Sequence, residues 1–497
     1  AVDMSDITSA TSVRELRTVS VGEGVERSPE RTAQALHRLK ALHQSSNPDA
    51  SRALLDALLE QAQAQMRDLS PRHIGMLLGT CLTMHRVPER ELLDAVEARV
   101  LEQAKFFNAM GIANYIRAFA ALNQRPNPAV VKALCEQALL RYEEFNALSI
   151  ANFLWACGRL RYEPPEALFW ALCRRGAACA GQFRPQAASM LIWGCAKLRR
   201  PPVDGLFEVL CADMVRHRAT IEPQGVANFL WGCATLGLHP GVALEEAMGI
   251  QAVHRIHSFK AKEISILMWA WGRLELPMPD ETFKSFCEHA TVTLREFKPR
   301  EITALLSACV KLERAPSVVL MGRIGERVRG TASTWGQQEV AQCLWACAKL
   351  DLRPSEETLE AFFVRAAQLT AEIRPQEQTN LLWACARMHV HFPEPLLASM
   401  CARAEQQMRT FEPQGVSNFF WAAAVLGGRV PDSLFAALCA RADERMGDFE
   451  PQTVANFLQA CAIAGQRVPE ELFGALCERA EGLLTRFGQQ ELVGSVM

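Results

Sequence analysis

Long apolar runs are missing from this chain of 497 residues; the most apolar stretches, such as 187–196, are cut short by a charge, here Lys197. None approaches the ~20 residues that a membrane helix needs. An excess of one charge is missing too. The 53 Lys+Arg nearly balance the 55 Asp+Glu and leave a net −2, which argues against coating nucleic acid by bulk charge. The start shows no charged-then-apolar signal pattern, and an organellar import segment removed ahead of Ala1 would leave no trace in it. Catalytic signatures are also absent. There is no Gly-x-x-x-x-Gly-Lys-Ser/Thr loop, no Gly-x-Ser-x-Gly elbow and no His-Glu-x-x-His helix. Gly22-x-Gly24 lacks both a third glycine and a preceding strand. His254/His257 and His389/His391 have no Cys partners at zinc spacing, so they read as surface residues. No segment alternates like a strand. Neither an enzyme nor a cofactor or metal site is expected.

What is present is bulk and repetition. With 49% apolar and 22% charged residues the chain is not disordered, and its size alone would suggest two to four domains. Internal similarity replaces that estimate. Glu-Pro-Gln-Gly-Val-Ala-Asn-Phe-Leu-Trp at 222–231 returns as Glu-Pro-Gln-Gly-Val-Ser-Asn-Phe-Phe-Trp at 412–421. Taking this Trp as position 0, the block recurs at 79, 117, 155, 193, 231, 269, 307, 345, 383, 421 and 459, always 38 residues apart. A looser copy centres on His37, and a thirteenth begins at Phe487.

Each unit reads as two helices. Position −10 is bulky, as in Phe145, Ile221 and Trp335, and Pro fills −8 in eight of the twelve complete copies. Pro suits the first helical position, and the bulky residue is expected to staple against Val or Ile at −5. Glu at −6 suits the positive helix end. Pro165, Pro279, Pro393, Pro431 and Pro469, all at +10, open the second helix. Two antiparallel helices per 38 residues, repeated about twelve times, predict an all-α solenoid. The predicted organisation is a flexible lead-in at 1–27, the solenoid at 28–486 and a partial capping repeat at 487–497.

Seventeen cysteines would suggest disulfides only in a short secreted chain. Fifteen fall on positions +2 and +18, on the apolar stripes. They read as buried thiols acting as small apolar side chains, which implies a reducing compartment.

At 100° per residue, positions −5, −2, −1, +2 and +5 form the core face. Positions −4, +1 and +3 are mostly small and would let neighbouring helices pack closely. Positions −7, −3, 0 and +4 share a 60° arc opposite the core. The −7 row holds Gln186, Gln224, Gln376 and Gln414, with basic Arg72, Lys262 and Arg300. The −3 row holds Asn152, Asn228, Asn380, Asn418 and Asn456. Position 0 is Trp155, Trp193, Trp231, Trp269, Trp345, Trp383 and Trp421, with Arg117 in one copy. Position +4 is Arg159, Lys197, Arg273, Lys311, Lys349 and Arg387. Ten positive residues against Glu30 put the stripe at +9, and a net −2 then leaves −11 elsewhere.

Indoles stack on bases, amides read base edges and cations meet phosphates, so the stripe is suited to single-stranded RNA. Each row also has a structural explanation. The Trp can wedge between adjacent first helices, the Asn can form a register-keeping ladder, and the +4 cations can offset the helix C-terminal dipole. The combination favours RNA, with about one nucleotide per repeat and a footprint of about ten. A protein scaffold is the alternative.

The unit Pro-Gln-x-x-Ala-Asn-x-Leu-Trp-x-x-Ala-x-Leu, closely matched around Trp231 and Trp383, resembles the octotricopeptide repeat family. The resemblance covers nearly the whole chain. It implies an imported RNA-binding protein of a mitochondrion or chloroplast, acting in transcript stability, splicing, translation or ribosome architecture, with rRNA and protein partners in a ribonucleoprotein. FAST-kinase-domain proteins are relatives, but no RAP domain follows here. His37, Gly79, Arg117, Ser307 and Gln459 depart from the Trp pattern.

Overall fold

The computed structural model describes residues 5–22, 25 and 27–483, which hold α-helices joined by turns and short 3₁₀ segments, with no strand among them. The chain divides into two compact units, Ala1–His254 and Arg255–Met497. Each holds six helix pairs, 38 residues apart except for the first step, from Pro29 to Pro71, which is 42. First helices of the first unit run from Pro29–Leu42 to Pro223–Leu236, and those of the second from Ala261–Arg273 to Pro451–Ala464. The all-α solenoid is therefore the observed architecture.

Local chemistry explains each boundary. The bulky −10 residue closes a 3₁₀ turn and is buried; Phe145, for instance, follows Tyr142–Glu144 and is 0% exposed. Where −10 and −2 are both aromatic the rings meet edge-on, as in Phe145–Phe153 at 6.1 Å and Phe411–Phe419 at 5.7 Å. This ring contact lies one turn beyond −5, in addition to the staple that the sequence leads one to expect there. Pro at −8 takes the first turn, as in Pro223 and Pro413, where its missing N–H costs nothing. Pro at +10 stands immediately ahead of the second helix, at the cap of Glu166–Ala177 and Asp432–Glu444.

Ten of the twelve first helices end on a left-handed residue at +6. Gly237 and Gly465 suit that conformation, but His85, Asn123, Arg161, Arg199, Glu275, Glu313, Asp351 and His389 adopt it without being glycine. In each the next N–H reaches back to the +2 carbonyl, as Tyr162 N does to Cys157 O at 3.0 Å and Arg314 N to Cys309 O at 3.0 Å. This is the closing bond of a Schellman motif.

Within each unit the first helices approach their sequential counterparts much more closely than the second helices do. Small residues permit it. A Cβ on Gly158 would lie 2.8 Å from Gly194 O, and one on Gly194 would lie 2.5 Å from Leu154 O. In the second unit a Cβ on Gly272 would lie 2.8 Å from Lys311 Cβ. The arc opposite the core therefore belongs to the closely packed first-helix layer of each unit.

The lead-in differs from expectation. Ser5–Ser9 and Val13–Val21 are helical, with Ile7 and Leu16 fully buried. Arg38 donates to Ala10 O at 2.7 Å and Arg31 to Val19 O at 2.9 Å. These short helices cover the apolar side of Pro29–Leu42 that no preceding repeat covers, which is the role of a cap in a repeat array. The break at 10–12 hid their periodicity. The partial repeat expected at 487–497 lies outside the described residues.

All seventeen cysteines are free thiols, mostly buried. Burial pushes Cys81 and Cys461 up to about 12 and Cys135 and Cys173 to about 11, and holds Cys157 and Cys195 well above the usual value. No helix of the described residues is long and apolar enough to cross a membrane.

Candidate nucleic-acid interface

The stripe of each first helix is built as its periodicity requires. Every residue at −7 is exposed and so are the +4 cations, whereas the seven Trp are half-buried. An indole at position 0 thus rests its body on neighbouring first helices and shows the remainder to solvent.

In the first unit, Trp155, Trp193 and Trp231 form a ladder. Their ring centroids are 6.3 and 6.2 Å apart, with planes tilted by 34° and 38°. Lys197 Nζ lies 5.3 Å from the Trp193 ring and 4.5 Å from the Trp231 ring, over the gap between them. Arg159 lies 5.8 Å from its own Trp155, while its Nε donates to Ala120 O at 2.8 Å. That second contact offsets the C-terminal dipole of the preceding first helix, Ala109–Ala121, and not of its own, so Arg159 has both a structural and a surface role. Gln186 and Gln224 are exposed and Asn228 is half-buried. Asn152 is 6% exposed and so contributes little surface. Arg72 is exposed. Arg117, in the Trp position, is half-buried, and burial lowers its pKa.

In the second unit, Trp269, Trp345, Trp383 and Trp421 continue the row, and Lys349 Nζ lies 5.0 Å from the Trp383 ring. Lys262, Arg273, Arg300 and Lys311 are exposed, with no ion-pair partner among the described residues. Arg387 faces Asp351 at 3.9 Å. The amides interlock. Gln376 donates to Asn380 Oδ1 at 3.1 Å, Gln452 to Asn456 Oδ1 at 2.8 Å, and Asn456 to Asn418 Oδ1 at 2.8 Å. The last bond crosses from one repeat to the next, as the ladder reading requires. Gln414 is exposed.

One recurrent device was missed in the sequence. The residue at +20 reaches the carbonyl of the bulky −10 residue of its own repeat. Arg175 Nε meets Phe145 O at 2.8 Å, Arg365 Nε meets Trp335 O at 2.8 Å and Arg479 Nε meets Phe449 O at 2.8 Å. His289 does so through Nε2 to Phe259 O at 3.0 Å. Asp213 inverts the polarity and accepts from Phe183 N at 3.0 Å. A row of Arg exactly thirty residues after the bulky position was the available signal; it looks like ordinary surface charge until the two helices are folded together.

A family model for the RNA-editing substrate-binding complex 6 protein matches residues 12–393. The chain belongs to that family. The RNA-editing substrate-binding complex 6 match takes in ten of the twelve first helices and every Trp of the stripe except Trp421. A second model, the N-terminal domain of the Tbc2 translation factor, matches residues 353–497. No curated protein matches the chain. Similar solved structures include the pentatricopeptide repeat protein PPR10 from maize, at 11% identity and a TM-score of 0.27, covering 99% of this chain and 91% of that one. A homology model of the full-length AP-3 complex is similar at 8% identity and a TM-score of 0.27, covering 97% of this chain and 94% of that one.

Proposed function

We propose that the first-helix stripe binds single-stranded RNA, and that the protein acts by holding RNA rather than by catalysis. The observation that carries this is the juxtaposition on one face of half-buried indoles, exposed amides and exposed cations without ion-pair partners, such as Lys262, Arg300 and Lys311. Indoles offer stacking surface, amides offer donors and acceptors, and cations offer phosphate contacts. Membership of a family named for an RNA-editing substrate-binding complex supports the same reading. The octotricopeptide resemblance extends it to an imported protein of a mitochondrion or chloroplast, stabilising a transcript, aiding translation or bracing an organellar rRNA among protein partners.

The test is filter retention of a 20-nucleotide oligo(U) RNA across a salt series. Wild-type affinity should fall with salt with a slope equivalent to several phosphates. Replacing Lys311, Lys349 and Arg387 by Gln should flatten the log–log slope by about 2, at ~0.7 per phosphate contact. Trp345→Ala with Trp383→Ala should weaken retention about tenfold or more in a variant that still melts cooperatively, at a lower Tm because packing is lost. An unchanged slope in the cation variant would sink the assignment of the stripe.

A protein scaffold without RNA contact is the second reading. Val292, Val318 and Val319, exposed by 83%, 87% and 66% on second helices of the second unit, favour it. Absence of RNA retention by the folded wild type at every salt concentration would select it.

A further inference from the structure

The stripe of the second unit is not uniform along the chain. In its first two repeats each first helix carries two cations and no amide: Lys262 and Arg273 flank Trp269, and Arg300 and Lys311 flank Ser307. The next two carry one cation each, Lys349 and Arg387, with amides at −7 and −3. The last two carry none. Val425 and Ile463 stand at +4, while Gln414, Asn418, Gln452, Asn456 and Gln459 fill the stripe. Cations decline as amides rise, in chain order.

Helix stability accounts for Arg273 and Lys311, which close their helices, and not for the two −7 cations. Lys262 and Arg300 are the second residues of Ala261–Arg273 and Pro299–Lys311, where the dipole is positive and a cation is unfavourable. The acidic residues beside them are engaged with backbone: Glu263 accepts from Lys260 N and Glu301 from Lys298 N, both at 2.9 Å. The amide end is organised differently. The Gln452–Asn456–Asn418 relay fixes amide orientations at 2.8 Å per step. It leaves the Asn418 NH₂ and the Gln452 carbonyl oxygen without a protein partner among the described residues, one donor and one acceptor. Amides ordered before binding lose little freedom when they meet a base edge.

We infer that the second unit divides RNA recognition along its length: the repeats at Trp269 and Ser307 grip the phosphate backbone irrespective of sequence, and the repeats at Trp383, Trp421 and Gln459 read bases. This rests on the RNA reading above. Sequence preference is then confined to one end of the RNA footprint, and salt sensitivity arises largely at the other.

Two measurements on the full-length chain separate these roles: selection from a randomised 20-nucleotide RNA pool, and the salt dependence of oligo(U) retention. A variant with Lys262, Arg273, Arg300 and Lys311 replaced by Gln should reduce the log–log salt slope by about 3 and still enrich the wild-type motif. Asn380→Ala, Asn418→Ala and Asn456→Ala together should keep the slope and flatten the motif. Because that variant removes the Asn456–Asn418 bond between repeats and can lose its fold, a second one leaves that bond in place, replaces the exposed Gln376, Gln414 and Gln452 by Ala and should flatten the motif in the same way. An intact motif in a folded amide variant, or equal loss of slope from cation and amide variants, overturns the division. Wild-type retention of RNA with no enriched motif overturns it as well, while leaving RNA binding standing. Failure of the wild type to retain either RNA overturns the parent reading instead.

Discussion

Gln378 stands at −5 of its first helix, where nine other repeats place Val or Ile. It is fully buried; its Nε2 donates to Met400 O, and its Oε1 has no partner. A buried amide oxygen without a donor costs about 1–3 kcal/mol. Gln378→Val should therefore stabilise the protein by about 1–2 kcal/mol, read as a higher midpoint in urea denaturation. The same scale shows where residue-level reading succeeds and fails. Exposed cations and amides at −7 and +4 were legible because 100° geometry alone places them. The burial of Asn152 was not, since it depends on how near Gly158 and Gly194 bring the adjacent helix. Nor was the second contact of Arg159, whose partner Ala120 O belongs to the previous repeat.

At the scale of the element, the first helix carries two opposite kinds of constraint. Its +6 residue is left-handed, and for a side chain such as Glu313, with φ of 54°, that conformation costs roughly 1–2 kcal/mol. Glu313→Gly should remove the strain and, after the added chain entropy of glycine, stabilise by about 0.5–1 kcal/mol. Thermal melting checks the sign. Gly194 is the reverse case, because any Cβ there meets the Leu154 carbonyl. Gly194→Ala should destabilise by about 1–3 kcal/mol and shift the fluorescence of the neighbouring Trp155–Trp193 pair; unchanged stability would refute the close-packing account. Helix starts were legible from Pro and from the bulky −10 residue. The helix ends were not, since eight of the left-handed residues are not glycine and only the return bond to the +2 carbonyl identifies them. The capping helices at Ser5–Ser9 and Val13–Val21 were hidden by their shortness. So were the +20 pins, because a contact thirty residues long has no local signature.

At the scale of the molecule, the thiols act together. Burial raises Cys81, Cys211 and Cys461 to about 12 and Cys135, Cys173, Cys287, Cys401 and Cys439 to about 11, from an ordinary 9.0. The folded state therefore keeps these protons where the unfolded chain would release them. Their contribution is fully present below the unfolded value near ~9 and is lost as pH rises towards 11–12. Each thiol removes about 1.4 kcal/mol per pH unit in that window. Alkaline unfolding should consequently be steep and release several protons per molecule, with the slope reduced by about one proton in Cys461→Ala. A stability profile flat from pH 8 to 11 would contradict the buried-thiol assignment. The repeat period, the all-α class and the two buried cysteine rows followed from spacing alone. The division into two six-repeat units did not, because the 38-residue register passes through residue 254 without interruption.

The glycine contacts also bear on how the chain acquires its structure. Gly158, Gly194 and Gly232 lie in three consecutive first helices of one unit, spanning Ala147 to Leu236. Backbones that meet so closely exclude water from a layer built of neighbours in sequence, so these helices can dock before distant parts of the chain are ordered. Their amide protons should be the slowest to exchange with deuterium in that unit, and its renaturation should begin there.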